Sequence, residues 1–468
     1  MEQLSGTDSM FTWAERPPEL PMHMGMVIVY DAASAQGGNH HAQDLRDHLE
    51  SRVRTLPVLK ERLVRVPFDL DHAYRTPAAR FDFNEHITVE ALPAPGGMRE
   101  LTNVALRFTN EIMPDPEKPP WRFCIVEGLM TVPGAAPGSL ALITKYHHAL
   151  VDGVLAFQLL NALHDSDARP QEVVPVIAGS EKIPGQASLL MSAAAHTATR
   201  GVTAIRVGSR VFRKIAAAQF RRGLERPGTV TRPTTPFSGP VSAARVFSTW
   251  RCTLAEAKRL KRQVPEATVN DVMMTLIGGA LRLYLAGKDE LPDETLAALC
   301  PISFRAEGAK EVAGNHATMM LAPIGTDIEN PVLRLAIIAD ATKSAKATVS
   351  DLGPQTFAEV ATLLPGAIGS PLLRVMHVLA GKVPLPFSGL AISNVPGPRE
   401  PLSAGGVRVA DIFAMSFLID GMGLVVGIMN YLDDLILTVT ADGAAMPDLD
   451  FFVECIDQSW KELSALPE

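Results

Sequence analysis

The apolar and polar positions along the first 165 residues alternate between the period of a strand and the period of a helix. Apolar runs at Met22–Tyr30, Arg122–Val126 and Leu140–Tyr146 predict strands. The spacing at Ala42–Val66 and Arg99–Met113 predicts helices. Strands that alternate with helices are typical of an α/β or mixed layered domain.

The pattern changes between residues 165 and 240. An Ala-rich helix is predicted over Ala187–Arg222, and the Pro-, Gly- and Thr-rich segment Pro227–Pro240 predicts a linker. From Arg200 to Arg226 the sequence contains eight basic residues and one acid. Two interpretations stay open. The run is either a solvated basic face or a helix on anionic lipid headgroups, where each basic residue contributes about 1 kcal/mol.

The second half returns to alternating elements. Its pattern predicts helices, an apolar helical pair and a buried hairpin around Asp420 and Gly421. Ser393 and Asn394 are predicted to form a turn before Pro396. The ranges are Ala244–Thr253 for a strand, Ala267–Leu285, Val332–Val349 and Leu449–Leu463 for helices, Gln355–Leu379 for the helical pair and Ile412–Leu432 for the hairpin.

A chain of 468 residues exceeds one typical core, so two domains are expected. We predict an N-terminal domain at 1–170, a basic helical crossover and linker at 171–240, and a C-terminal domain at 241–468. The net charge of −8 argues against nucleic acid as a partner. No signal peptide or membrane-spanning run is evident, so we expect a cytoplasmic protein that is at most peripheral. Four scattered cysteines predict small core side chains in a reducing compartment: Cys124, Cys252, Cys300 and Cys455.

The candidate chemistry lies where the strand Leu140–Tyr146 ends. The motif H-H-x-x-x-D-G there comprises His147, His148, Asp152 and Gly153, and a helix is predicted directly after it. Histidine can take and return a proton near neutral pH. The glycine is expected to tolerate an unusual φ and so to fix the turn. A solvated i,i+4 pair is the alternative for H-x-x-x-D alone, but the doubled histidine and the position between strand and helix favour catalysis.

Other short motifs occur along the chain together with the histidine motif. In order they are Leu4–Phe11 with Pro21–Gly25, Pro119–Trp121, Asn270–Asp271, Pro301–Arg305, Gly314–Asn315 and Ser393–Pro398. Together with H-H-x-x-x-D-G, they resemble the bacterial wax ester synthase / diacylglycerol acyltransferase family over nearly the whole chain. That family lies among the CoA-dependent acyltransferases shaped like chloramphenicol acetyltransferase. The chain departs from the family pattern at Pro120, where the family has leucine, and in Met113–Glu117.

The resemblance implies two chloramphenicol-acetyltransferase-like α/β domains, layered α+β in character, with a central tunnel between them. It implies transfer of a long-chain acyl group from acyl-CoA to diacylglycerol, which makes triacylglycerol, and to long-chain alcohols, which makes wax esters. Acyl-CoA is then a substrate, and no cofactor or metal is expected. His148 is the candidate general base and then acid. His147, the other catalytic candidate, is expected either to support the loop or to replace His148 in part.

The remaining site residues have two interpretations each. Asp152 could orient the histidine, but the resemblance instead implies a salt bridge to Arg305. Asn270 is the candidate oxyanion donor. The segment Thr268–Asp271 also reads as a helix capping box, in which Asp271 is structural support.

Two other functions stay open. The first is an acyltransferase of the same fold with another acceptor or a carrier-protein-bound donor. The second is a non-catalytic protein that binds lipid or coats droplets. The sequence has no G-x-S-x-G elbow and no cysteine beside a histidine, so a covalent acyl-enzyme lacks an evident nucleophile. The apolar segment Val360–Leu379 could line a lipid entrance, and contact with the inner face of the plasma membrane or with lipid droplets stays open.

Overall fold

A computed structural model of the chain describes residues 1–15, 20–35, 41–113, 115–166, 185–197, 199–200, 207, 209–210, 233–303, 317–352, 356–363, 366–380, 382 and 387–465. The helices are α1 Gly6–Ala14, α2 Ala42–Val53, α3 Met98–Asn110, α4 Gly153–Leu163, α5 at 186–197, α6 Leu254–Leu260, α7 Val269–Ala286, α8 Pro331–Leu352, α9 Thr356–Leu363, α10 Gly366–Leu379 and α11 Leu449–Ser464. The strands are β1 Glu2–Gln3, β2 His23–Tyr30, β3 Glu61–Val64, β4 Tyr74–Pro77, β5 Ile87–Ala91, β6 Trp121–Leu129, β7 Ser139–His147, β8 Asp165–Ser166, β9 Arg245–Thr253, β10 Ala297–Ser303, β11 Ala317–Pro323, β12 Leu390–Val395, β13 Leu402–Ala404, β14 Val407–Met415, β15 Leu424–Tyr431 and β16 Asp434–Asp442.

A seven-stranded sheet in the order β5-β6-β7-β2-β14-β13-β8 forms the first layer. Every residue of β7 is buried, because antiparallel β6 and β2 flank it and apolar helix faces cover it. Leu45 and Leu49 of α2 and Val104 and Phe108 of α3 belong to that core. The strand that carries the histidines is therefore an interior strand of a packed sheet, which holds its end in one position.

A second sheet in the order β11-β10-β12-β15-β16-β9 has its own core. Helix α7 is buried along most of its length and packs on α11. A small three-stranded sheet, β1-β4-β3, lies apart from both. The predicted layered α/β class, with alternating elements in each half, agrees with this arrangement.

The two halves of the sequence are not separate in space, because β13 and β14 from the second half complete the first sheet. β14 pairs antiparallel with β2, while β15 pairs with β12 and β16 in the other sheet. The hairpin predicted over Ile412–Leu432 is therefore wrong. Both strands are apolar, so their pattern could not tell that the chain crosses between sheets at residues 416–423. The predicted boundaries at 170 and 240 remain predictions.

Two local predictions also differ from the structure. The helix predicted over Ala42–Val66 ends at Val53, because Pro57 begins a 3₁₀ turn that leads into β3. Ser393 and Asn394 are not a turn. They are strand residues of β12 and pair with Gly427 and Ile428 of β15.

The basic run of the crossover is described at two of its eight positions. Arg200 pairs with the buried Asp71, and Arg210 pairs with Glu359 of α9. The side chain of Arg200 is largely buried in its pair, whereas that of Arg210 is 52% exposed and pairs at the surface. The other six lie outside the described residues, and they are Arg206, Arg213, Lys214, Arg221, Arg222 and Arg226.

The cysteines and the helix lengths can be compared with expectation directly. All four cysteines are buried and free, as predicted for small core side chains. Within the described ranges, no helix combines the length and the apolar character that crossing a bilayer requires.

Candidate active site

The predicted strand, turn and helix around the histidine motif are present. His147 is the last residue of β7, and its carbonyl accepts hydrogen bonds from the N–H groups of Leu150 and Val151. Asp152 is the N-cap of α4, and its carboxylate accepts a hydrogen bond from the N–H of Leu155 at 2.7 Å. The turn is therefore held at both ends by backbone groups that would otherwise lack partners.

Gly153 does not act as predicted. It is the first residue of α4 and has no left-handed φ, so the turn needs no unusual backbone there. A Cβ at this position would lie 3.5 Å from Cγ2 of Val395, an ordinary contact. The cap at Asp152, rather than glycine's freedom, fixes the turn.

His148 is enclosed by aromatic rings from two distant parts of the chain. The ring of Phe11 in α1 lies 4.0 Å from it, centroid to centroid, and the ring of Phe417 meets it edge-on at 5.0 Å. Its main-chain N–H donates to the carbonyl of Met22 at 2.8 Å. Nδ1 is enclosed and has no hydrogen-bond partner among the described residues.

This enclosure decides the charge of His148. Burial, and then the charge of His147, lower the pKa of the His148 imidazole to about 3. Its own backbone raises that pKa, but by less. The ring is therefore neutral at neutral pH. A neutral imidazole can accept a proton from a hydroxyl without first losing one of its own.

His147 points away from His148 into a small polar cluster. Its Nδ1 accepts a hydrogen bond from the N–H of Ala149 at 3.0 Å, and its Nε2 lies 3.5 Å from Oε1 of Glu15. Nε2 of His23 lies 3.7 Å from the same oxygen. Because Nδ1 accepts, a neutral His147 carries its proton on Nε2, facing the carboxylate. The geometry matches the loop-supporting role expected of His147.

Glu15 and His23 complete this cluster from outside the motif. Although burial opposes ionisation, the hydrogen bond from His147 and the charges of His147, His23 and Arg65 lower the pKa of the Glu15 carboxyl. Burial lowers the pKa of His23 to about 3, with help from the charges of His147 and Lys145. Because a carbonyl oxygen can only accept, Nδ1 of His23 carries a proton and donates it to the carbonyl of Thr109, at 3.1 Å.

Asn270 lies at the second residue of α7, where the second half of the chain approaches the site. Its Oδ1 accepts a hydrogen bond from Nδ2 of Asn394 at 3.1 Å, and its own Nδ2 lies 3.4 Å from the sulfur of Met274. The next residue of β12, Val395, is the one that lies beside Gly153. The end of β12 thus joins the start of α7 to the start of α4.

The capping box predicted at the start of α7 is present. The carboxylate of Asp271 accepts hydrogen bonds from the N–H and the hydroxyl of Thr268 at 2.8 Å and 2.7 Å. The hydroxyl of Thr342 donates to its other oxygen at 2.8 Å. Asp271 is buried and fully used in this structural role. Arg305 lies outside the described residues, so its pairing with Asp152 stays a prediction.

Sequence reasoning missed four residues that surround the histidines. Phe11 and His23 lie inside segments already singled out, Leu4–Phe11 and Pro21–Gly25, so a signal for them existed. Glu15 and Phe417 carry no local signal, because only the packing of α1 and of the segment after β14 brings them here. Among the described residues, no group of three or more His, Cys, Asp or Glu side chains is arranged to hold a metal ion.

Comparison with known proteins adds a family to this geometry. A profile of the wax ester synthase/diacylglycerol acyltransferase catalytic domain matches residues 4–273, and a profile of the WS/DGAT C-terminal domain matches residues 313–464. A protein of Mycobacterium tuberculosis strain H37Rv, provisionally named a diacylglycerol O-acyltransferase, is 30% identical over 478 residues, which cover 100% of both chains.

Solved structures share the fold. The wax ester synthase/diacylglycerol acyltransferase from Marinobacter aquaeolei VT8 is 23% identical, covers 100% of both chains and has a TM-score of 0.70. The starter condensation domain of rhizomide synthetase, solved with C8-CoA, is 12% identical, covers 100% of this chain and 97% of its own, and has a TM-score of 0.55. These likenesses confirm the predicted layered α/β class of the CoA-dependent acyltransferases. The predicted tunnel between the domains stays a prediction.

Proposed function

Because the chain belongs to the wax ester synthase/diacylglycerol acyltransferase family, we propose that it transfers a long-chain acyl group from acyl-CoA to diacylglycerol, and to long-chain alcohols. The observation that carries the proposal is the neutral His148, held between Phe11 and Phe417. Such a ring suits a base that must take a proton from a hydroxyl.

The proposed reaction is a direct transfer. With Nδ1 enclosed, Nε2 of His148 takes the proton of the acceptor hydroxyl as its oxygen attacks the thioester carbonyl carbon. A C–O bond forms, and the carbonyl oxygen becomes an oxyanion. When the C–S bond breaks, the imidazolium returns the proton to the departing sulfur, which leaves as CoA thiol. The ester is the second product, and neither a covalent acyl-enzyme nor a cofactor or metal takes part.

Asn270 is the proposed donor to the oxyanion. Its Oδ1 is held by Asn394, so its Nδ2 is oriented and has only the weak acceptor sulfur of Met274 as a partner in the described part of the chain. Exchange of that sulfur for an oxyanion would strengthen the hydrogen bond in the transition state. Asp152 contributes by holding the start of α4, and Glu15 by holding His147.

The test is release of free CoA from palmitoyl-CoA by the full chain, with diolein, with hexadecanol and with neither. His148→Ala is measured beside His41→Ala, which changes an exposed histidine at the start of α2. We expect acceptor-dependent release that falls about 10²–10⁴-fold in His148→Ala and is unchanged in His41→Ala. The acceptor that gives the faster CoA release identifies the main product.

Three results would contradict the proposal. CoA release that does not depend on either acceptor would show that the acyl group is not transferred to them. CoA release that is equally fast in His148→Ala would show that His148 is not the base. Turnover of a palmitoylated carrier protein without turnover of palmitoyl-CoA would favour the carrier-bound donor. No turnover with any donor, together with lipid binding, would favour the non-catalytic alternative.

A further inference from the structure

The outer side of α10 is an apolar face turned to solvent. Ile368, Leu372, Val375 and Leu379 follow each other at helical spacing and are 57%, 47%, 51% and 40% exposed. The inner side of the helix carries the small residues at 366, 369 and 370, which are buried. A helix of a soluble protein normally has the reverse arrangement, with its large apolar side chains inward. A contiguous face of this kind indicates a surface that another apolar phase covers.

A second exposed apolar side chain stands at the N-terminal end of α10. Phe68 is 87% exposed and has φ +60°, in the left-handed region that disfavours residues other than glycine. The carbonyl of Asp69 packs closely on Gly366, where an added Cβ would lie 2.1 Å from it. A bulky aromatic held in this backbone gains no burial from folding. It adds an exposed apolar side chain next to the first turn of α10.

The charge of this region suits an anionic surface. The sequence contains no Asp or Glu between Glu359 and Glu400, the stretch that includes α10, in a chain with 51 acidic residues in 468. Asp69, next to Phe68, is paired with Arg65. Lys382, just after α10, is exposed. A second copy of the chain would bring this cation close to its own copy in a two-fold contact. An anionic phospholipid surface would instead attract it.

The face lies one helix away from the candidate active site. Gly6 of α1 packs directly on the backbone of Thr362 in α9, where an added Cβ would lie 2.2 Å from the nitrogen of Thr362. Helix α1 packs on α10 as well and carries Phe11, which covers His148. A lipid beneath α10 would therefore be separated from the histidine by the thickness of α1.

We propose that α10 and Phe68 form the surface on which the protein lies against an anionic phospholipid bilayer. With 14 residues, α10 is too short to cross a bilayer, and it lies in the interface with its apolar face among the acyl chains. The lipid acceptor then moves from the bilayer to His148 past α1. This last step rests on the proposed function, whereas the docking itself does not.

The first experiment is sedimentation of the full-length protein with vesicles of equimolar phosphatidylcholine and phosphatidylglycerol, and with phosphatidylcholine vesicles. Ile368→Glu/Leu372→Glu places two charges on the face. Leu333→Glu/Ile337→Glu is the matched control, because these exposed apolar residues have the same spacing on α8. Phe68→Asn removes the aromatic ring and keeps a residue that tolerates left-handed φ.

We expect binding to the anionic vesicles that falls about tenfold or more in the α10 double variant, falls less in Phe68→Asn, and is unchanged in the α8 control. Absence of wild-type binding, or equal loss in the α8 control, would overturn the proposal. The proposal would also be overturned if the wild type were a dimer and the α10 double variant a monomer with unchanged vesicle binding. The face would then contact a second copy of the chain.

The second experiment separates docking from chemistry. Diolein is presented either in anionic vesicles or in micelles of a non-ionic detergent. We expect the α10 double variant to lose turnover of vesicle diolein and to keep turnover of micellar diolein. If wild type turns over neither but still binds vesicles, the proposed function fails while the docking surface stands. If the variant keeps full turnover with vesicles, the route past α10 is wrong.

Discussion

The ring of Phe11 covers the ring of His148 at a centroid distance of 4.0 Å, with 30° between the ring planes. Helix α1, which carries Phe11, ends immediately before Glu15, the acid that approaches His147. One short helix therefore covers one histidine with an aromatic ring, and the residue that follows it supplies an anion to the neighbouring histidine. Phe11 and Glu15 are only four positions apart.

Phe11→Ala should raise the pKa of His148 from about 3 towards the ordinary value, because water would then reach the imidazolium. The acid limb of the kcat/KM profile should move to higher pH, since that limb reports the base in the free enzyme. The rate itself should fall about tenfold, as an aromatic pair contributes about 0.5–1.5 kcal/mol and its loss also frees the ring. Phe11→Leu, which keeps the apolar cover, is the control and should leave the limb nearly in place. An unmoved limb in Phe11→Ala would contradict this role.

Glu15→Gln should lower kcat more than it raises KM, because the loss concerns the placement of the His147–His148 turn rather than substrate contact. We expect a fall of about tenfold, the cost of a charge-assisted hydrogen bond of about 1.5 kcal/mol. Glu2→Gln, at an exposed acid that pairs with Arg75, is the matched control. Equal effects of the two changes would show that the Glu15 carboxylate does not position the turn.

Asp152→Ala and Asp152→Asn separate capping from charge. Asparagine caps helices as well as aspartate, whereas alanine costs about 0.5–2 kcal/mol of stability. If capping α4 is the main role of Asp152, Asp152→Asn should have a urea midpoint close to that of the wild type. Asp152→Ala should unfold at a lower urea concentration. Equal destabilisation would instead require a charge partner for Asp152, and Arg305→Ala should then produce a similar loss.

Stability should fall as the pH drops from about 6.5 towards 4. Burial lowers the pKa values of His23 and His164 to about 3 and about 4, and enclosure by its neighbours lowers that of His148 to about 3. The unfolded chain therefore binds more protons in this window. Each histidine should lower the free energy of unfolding by up to about 1.4 kcal/mol per pH unit. Thermal unfolding between pH 7 and pH 5 measures the slope.

His164→Gln should make the unfolding free energy less dependent on pH, by the contribution of about one proton. The reason is that the His164 ring is buried against the hydroxyl of Tyr30. His41→Ala, at an exposed ring, should leave the slope unchanged. A melting temperature that is constant or rises as the pH falls to 5 would contradict the assignment of these three histidines as neutral.

The sequence by itself determined the elements that local periodicity encodes. The strand before His147, the helix after Asp152 and the capping box of Thr268 and Asp271 were all predictable, because each depends on neighbours within one or two turns. The H-H-x-x-x-D-G motif and its resemblance also predicted the family, because those residues stand in a fixed order along the chain.

Only the tertiary structure decided which residues surround the histidines and which faces stay open. Glu15 and Phe417 reach them through the packing of α1 and through the passage of the chain from β14 to β15, which the sequence pattern had predicted as a hairpin. The apolar pattern of α10 likewise predicted a helix but not that its large side chains face outward. Periodicity tells which residues share a face, whereas long-range packing decides what that face meets.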